Sequence, residues 1–256
     1  MTLKVTILGC GGSMGVPIIG NHWGQCDPTN PKNYRTRASI IVEKEGQRLL
    51  IDSSPDLRTQ LLRENIGTFD AVLYTHAHAD HIHGLNDLRA ICRNRSQPLD
   101  IYADPKALKE IMESFAYAFT PNFIEGMFFK PVLIPHEIIG NFSHGIFDII
   151  PIDQDHGYTS SLGFRIDDFA YSTDVMRLDE TAFQQLEGIK IWVVDCIRMS
   201  EHPTHASLDV ALSWIERIKP EQAYLTHMSE ELDYEALLKI LPKNVEPCYD
   251  GLVVFL

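Results

Sequence analysis

Residues 75–81 read Thr75-His76-Ala77-His78-Ala79-Asp80-His81. Three imidazoles and a carboxylate fall within six residues, directly after the apolar run Ala71–Tyr74, which reads as a short buried strand. Strand-end loops are where a rigid scaffold presents functional groups. In an extended segment His76 and His78 point to one side. If the chain then turns into a helix, Asp80 and His81 can face back across the same cavity. Imidazole and carboxylate are ligands for zinc, manganese or iron. Two ligands from each half of the stretch predict two adjacent ions. The chain offers more ligands at later strand ends: His156 in Asp155-His156-Gly157, Asp174 in Ser172-Thr173-Asp174, and His227 in Thr226-His227-Met228.

Outward from this stretch, residues 3–9 read as a strand that enters Gly9-Cys10-Gly11-Gly12-Ser13-Met14-Gly15. A dinucleotide-binding turn would need a helix next. Val16-Pro17 interrupts instead, so the glycines are expected to let backbone pass close to a site or a neighbouring strand. Ala38–Glu43 and Arg48–Ile51 form a hairpin pattern, and Ser54-Pro55 suits the start of a helix carrying Leu57, Leu61 and Leu62. Helices are expected at 80–92, 104–118, 179–187, 206–217 and 233–240. Strands are expected at 99–103, 146–152, 162–173 (turning at Asp167-Asp168), 191–194, 223–225 and 251–256. Residues 121–145 read as irregular, an edge or a segment that closes over the cleft. Hairpins followed by alternating strand and helix predict two β-sheets between helices, as one α/β domain over 1–256.

Composition narrows the partners. The 256 residues hold 22 Lys+Arg against 35 Asp+Glu, a formal charge of −13, and 11 His. Such a chain suits no extended nucleic acid, whose binding relies on Lys/Arg displacing counterions. The five cysteines are scattered without a C-x-x-C pair, which argues against a disulfide framework. The N-terminus does not read as a signal peptide and no run reaches membrane-spanning length, so the reducing cytoplasm is the expected compartment and no membrane partner is expected.

The string H-x-H-x-D-H, then His156, Asp174 and His227, each after a strand, resembles the metallo-β-lactamase-fold hydrolases along essentially the whole chain. The resemblance implies a four-layer αββα sandwich with two metal ions in a cleft between the sheets. It implies that His76, His78 and His156 hold one ion, that Asp80, His81 and His227 hold the other, and that Asp174 bridges them. Asp52 would orient a ligand from behind. Within the family the chain resembles the PhnP-like phosphodiesterases, through Gly9-x-Gly11-Gly12, Gly15-Val16-Pro17, Asp195-Cys196, His205 with Asp209, and Asp250-Gly251. That relative holds a structural zinc with three cysteines and a histidine. Here only Cys26 remains, with Asn21, Trp23 and Glu230 at the other positions. No structural zinc is therefore expected, and Trp23 packing is expected to hold loop 20–31.

The implied reaction is hydrolysis of a small or cyclic phosphate ester or nucleotide by a hydroxide shared between two divalent ions, zinc or manganese with iron as an alternative. Asp80 would orient the water or accept its proton. His205 would protonate the leaving group, with His202 as its competitor. Arg35 and Arg37 are candidate phosphate clamps, and Ser53 and Ser54 weaker substrate contacts. Hydrolysis of a lactone, thioester or other ester, and tRNase Z-like RNA processing, are the alternatives. The sequence leaves open whether the chain works as a homodimer.

Overall fold

Alternation along the strands sets the layers. In Leu3–Gly9, the side chains of Leu3, Val5 and Ile7 join the core between the sheets, and Leu8 faces the other way. Ser39–Lys44 repeats the pattern, with Ile40 and Val42 inward and Ile41 outward. A period of two on strands buried on both faces requires cover on both sides, and the computed structural model supplies it. The structure describes residues 2–120 and 132–256, and the backbone of 122–124 and 127–129.

The first sheet runs, in spatial order, Val253–Phe255, Leu3–Gly9, Ser39–Lys44, Gln47–Ile51, Ala71–Leu73, Leu99–Ala103 and Leu133–Glu137. From Gln47–Ile51 onward its neighbours are parallel. The second sheet runs Val245–Pro247, Gln222–Thr226, Ile191–Asp195, Phe169–Ser172, Ser160–Ile166, Phe147–Asp155 and Phe142–His144. Its first four strands are parallel. Helices Leu57–Arg63, Leu88–Arg95 and Pro105–Ser114 cover the outer face of the first sheet. Helices Glu180–Leu186, Leu208–Ile218 and Tyr234–Ile240 cover the second. This is the αββα sandwich. Parallel strands put their carboxyl ends on one edge, so the segments after Ile51, Leu73, Ser172, Asp195 and Thr226 converge there.

Local chemistry places the helix starts. Asp104 accepts hydrogen bonds from the Lys106 and Ala107 amides ahead of Pro105 at the first turn, and Asp179 accepts from the Ala182 amide. The expected helix 80–92 is instead broken into Ala79–Ile82, a short turn at Leu85–Asp87, and Leu88–Arg95. Gly84 is the cause. Its amide donates to the Ser53 carbonyl at 2.8 Å, and a Cβ there would collide with the Ser54 carbonyl oxygen. The reading of 121–145 as irregular is also corrected. Residues 122–124 and 127–129 form a hairpin, and Leu133–Glu137 and Phe142–His144 are edge strands, one in each sheet. The remainder of 121–131 lies outside the described residues.

Candidate metal centre

At the convergent edge the chain takes left-handed backbone at three polar residues: Asp52 (φ 61°), Asp174 (φ 54°) and His227 (φ 57°). Each such conformation costs on the order of 1–3 kcal/mol and persists only where the surroundings enforce it. Here it follows a strand end and turns a side chain into the cleft between the sheets.

The ring orientations follow from hydrogen bonds behind them. The Thr75 amide and hydroxyl both donate to Asp52, at 2.9 and 2.8 Å. That hydroxyl proton is thus used, so the Thr75 oxygen, 3.0 Å from His76 Nδ1, accepts the ring's N–H. His81 Nδ1 donates to Asp52 Oδ2 at 2.7 Å, and His156 Nδ1 donates to the Thr204 carbonyl at 2.6 Å. With each Nδ1 engaged, Nε2 is the atom left to face the cleft, which is how metal-ligating histidines are oriented.

Asp174 meets them with both oxygens. Oδ1 lies 3.7 Å from His76 Nε2 and 3.5 Å from His156 Nε2. Oδ2 lies 3.1 Å from His81 Nε2 and 3.4 Å from His227 Nε2. Asp80 Oδ2 lies 3.4 and 3.5 Å from the same two nitrogens. The ligand atoms of His76, His78, His156 and Asp174 fall within 4.8 Å of one another, and so do those of Asp80, His81 and His227. The two groups meet at Asp174, and the structure brings together all seven residues read from the sequence.

Their chemistry fits divalent cations. The Nε2 atoms of His76, His81 and His227 are buried and make no well-formed hydrogen bond, a cost that a ligated cation would remove. Burial and the charge on His81 hold His76 well below the usual imidazole range, and burial lowers His156. Both rings therefore present a lone pair. Burial disfavours the carboxylate forms of Asp80 and Asp174, but the neighbouring imidazoles outweigh it and both are held below the usual range. Burial likewise opposes charge on His81, and Asp174, Asp80 and Asp52 overcome it to push that ring well up. The cleft is a set of buried carboxylates facing imidazoles, a field that favours positive charge.

His205 stands beside this cluster, its Nε2 3.9 Å from Asp174 Oδ1. Its Nδ1 is 3.0 Å from Asp195 Oδ2. Burial opposes its protonation, but Asp195 prevails and the pKa is pushed up to about 9. Asp195 is the residue that sequence reasoning did not place in the site. It is fully buried at the end of Ile191–Asp195 and also accepts the Val175 amide at 3.0 Å. Its position at a strand end, like Asp52 and Asp174, was the available signal. His202 lies beside His205, the ring centroids 5.0 Å apart, with its Nδ1 accepting from the Thr204 hydroxyl and amide at 3.2 and 3.3 Å.

Other expectations are corrected. Arg35 is buried and donates to the Ser229 and Leu232 carbonyls at 3.1 and 2.6 Å. It ties the segment that follows loop 20–31 to the 229–233 turn, touches the loop at Cys26 Sγ (3.8 Å), and offers nothing to a phosphate. That loop is held further by Gln25 N on the Glu230 carbonyl (2.8 Å) and Asp27 N on Asp233 (3.1 Å). The Trp23 ring is half-buried, and its indole donates within the loop, to Asn21 at 3.1 Å. Arg37 is paired with Asp56 at 2.9 Å. The Ser54 hydroxyl donates to Gln60 at 3.1 Å, and Ser53 bonds the Tyr74 hydroxyl at 2.8 Å; both are buried. The glycine-rich loop does pass close to the cleft. A Cβ on Gly12 would stand 3.4 Å from the His227 carbonyl and 2.9 Å from Ile197 Cδ1.

A cleft of this make on this fold is that of the β-lactamase superfamily; the superfamily's domain matches residues 47–228, and the chain belongs to it. Within it the chain is PhnP-like. A crystal structure of a diphosphatase from the PhnP family superposes with a TM-score of 0.91 at 34% identity, covering 100% of this chain and 98% of that one. An octanoyltransferase of Porphyromonas gingivalis is 34% identical over 255 residues, 98% of this chain and 51% of that protein. A ribonuclease Z of Clostridium kluyveri is 32% identical over 184 residues, 68% of this chain and 50% of that protein. The chain thus spans about half the length of these curated relatives. No helix among the described residues is long and apolar enough to cross a membrane.

Proposed function

We propose that the chain is a binuclear metal-dependent phosphodiesterase acting on small or cyclic phosphate esters or nucleotides, diphosphates included. His76, His78 and His156 would hold one ion and Asp80, His81 and His227 the other, with Asp174 serving both groups. The split of Asp174 supports this assignment, because each oxygen faces two imidazoles of a different group. Two divalent ions in such a cleft supply Lewis acidity and a more acidic water. Asp80, the most solvent-accessible of the carboxylates around the cluster, is the residue that would orient a water there and take its proton. His205 lends a positive charge to the phosphoryl group and gives its Nε2 proton to the leaving oxygen. Asp195 keeps the other nitrogen protonated and the ring in place.

The observation that carries the phosphate reading is the placement of His205, anchored at Nδ1 by Asp195 at 3.0 Å with its Nε2 3.9 Å from Asp174 Oδ1. The similarity to a PhnP-family diphosphatase supports the same class. The similarity to a ribonuclease Z favours a second reading, RNA processing, against which stands the charge of −13. The test is a substrate screen with zinc- or manganese-reconstituted protein: bis(p-nitrophenyl) phosphate, a cyclic nucleotide, a lactone, a thioester and a precursor tRNA. Hydrolysis of the first two is expected. Turnover of the lactone or thioester alone would overturn the reading, and trimming of the RNA alone would favour the second.

A further inference from the structure

An acid that protonates a leaving oxygen must lie within hydrogen-bond reach of it. The cavity that His205 borders is therefore the leaving-group side of the cleft, and this step rests on the phosphodiesterase reading. That cavity measures about 510 Å³, and Arg177, Leu178, Val210 and Trp214 line it with His205. It adjoins a second hollow of about 720 Å³ through Met176, Arg177, Glu201 and His202, which border both.

Arg177 follows Asp174 by three residues, and its main chain is fixed. Its amide donates to the Asp155 carbonyl at 3.2 Å, the Asp155 amide donates back at 3.2 Å, and the Met176 amide donates to the same carbonyl at 2.7 Å. The base of Arg177 is thus locked to the residue before His156. Its guanidinium is not. The side chain is 75% exposed, and Nη1 stands 4.0 Å from Asp155 Oδ2, beyond hydrogen-bond range. Of the other arginines discussed for the site, Arg35 is taken up by carbonyls, and Arg37 is ion-paired through Nε with Asp56. Arg198, nearby, donates to the Ser200 and Glu201 carbonyls. A fixed backbone carrying a planar, five-donor cation that has a loose ion pair and no hydrogen bond, beside the acid, suits bidentate capture of a phosphate.

We propose that Arg177 binds a phosphate carried by the leaving half of the substrate, and so selects diphosphates and phosphorylated leaving groups over neutral ones. The wall of Leu178, Val210 and Trp214 takes the planar or apolar body of that group, and Glu201 accepts from its hydroxyls. The preferred substrate is a nucleotide- or sugar-like diphosphate cleaved so that a monophosphate departs into the groove.

The test compares the metal-reconstituted wild type with Arg177→Gln and Arg177→Lys on two substrates. ADP-ribose leaves a phosphate in the groove; thymidine 5′-(p-nitrophenyl) phosphate leaves a phenol. Arg177→Gln is expected to lower kcat/KM on ADP-ribose by about ten- to a hundredfold, mainly through KM, and by at least about tenfold more than on the nitrophenyl ester. Arg177→Lys is expected to recover part of the loss. Calorimetry with adenosine 5′-monophosphate should show weaker binding to Arg177→Gln by a similar factor. Equal losses on both substrates, or unchanged nucleotide affinity, would overturn the proposal. If the wild type cleaves neither substrate, the phosphodiesterase reading fails, and the nucleotide titration still decides whether Arg177 is an anion site.

Discussion

Thr75 illustrates how single atoms set the centre. Its hydroxyl gives its proton to Asp52 and so accepts the His76 N–H, which leaves His76 Nε2 for the cleft. Asp52 does the same for His81. Removing such a partner usually costs about 10–100-fold in metal affinity. Asp52→Ala should therefore weaken the ion on His81 by about that factor, read by competition with a chromophoric chelator. An unchanged affinity would remove Asp52 from the account. His205 makes a sharper claim. His205→Ala should lower turnover by about 10²–10⁴-fold on alkyl esters, which need a proton on the leaving oxygen, and by much less on nitrophenyl esters. Equal losses would assign the ring to positioning alone. Asp174, Asp80 and the histidines were legible because ligand types recur at strand ends. The roles of Arg35, Arg37 and Ser54 were not, because a charged or hydroxyl side chain in a loop reads alike whether it meets substrate, a carbonyl or a neighbouring carboxylate.

At the scale of elements, Gly84 explains the broken helix. The turn at 83–87 lets His81 and the Ser53 backbone meet, and the Ser53 amide donates to the His81 carbonyl at 2.8 Å. Gly84→Ala forces a Cβ against the Ser54 carbonyl oxygen and to 2.9 Å from the Leu57 Cβ. A loss of about 1–3 kcal/mol is expected in urea unfolding; a variant as stable as the wild type would show that the loop yields freely. The helical period of 80–92 was legible, but the collision that interrupts it involves a segment about thirty residues away and left no local sign. The edge strands in 133–144 escaped for a related reason. They are short and half-exposed, so neither alternation nor burial marks them. Arg35 belongs here too, since it fastens one loop to another. Arg35→Leu leaves the buried Leu232 carbonyl with only the weak Cys26 thiol donor, and a fall of about 1–3 kcal/mol in stability is expected.

The whole molecule is two sheets joined at one edge by the cluster. The first sheet's strand ends bring Asp52, His76, His78, Asp80 and His81, and the second's bring His156, Asp174, Asp195 and His227. Ions held by both would cross-link the layers. A ligand that binds only the folded state stabilises it by about 4 kcal/mol at a thousand times its dissociation constant. Chelation should therefore lower Tm by several degrees, and an unchanged Tm would deny the cross-link. The layer order was legible from hairpins giving way to alternating strand and helix. The net charge of −13 was legible as well, yet it says nothing of the rim, where Arg177 faces outward. The central claim is that two ions, gathered around Asp174, carry out phosphodiester hydrolysis. It is tested most directly by titrating metal-free protein with zinc or manganese while recording hydrolysis of bis(p-nitrophenyl) phosphate. Activity should rise to a plateau at two equivalents per chain. A plateau at one equivalent, or no hydrolysis with two bound, would contradict it.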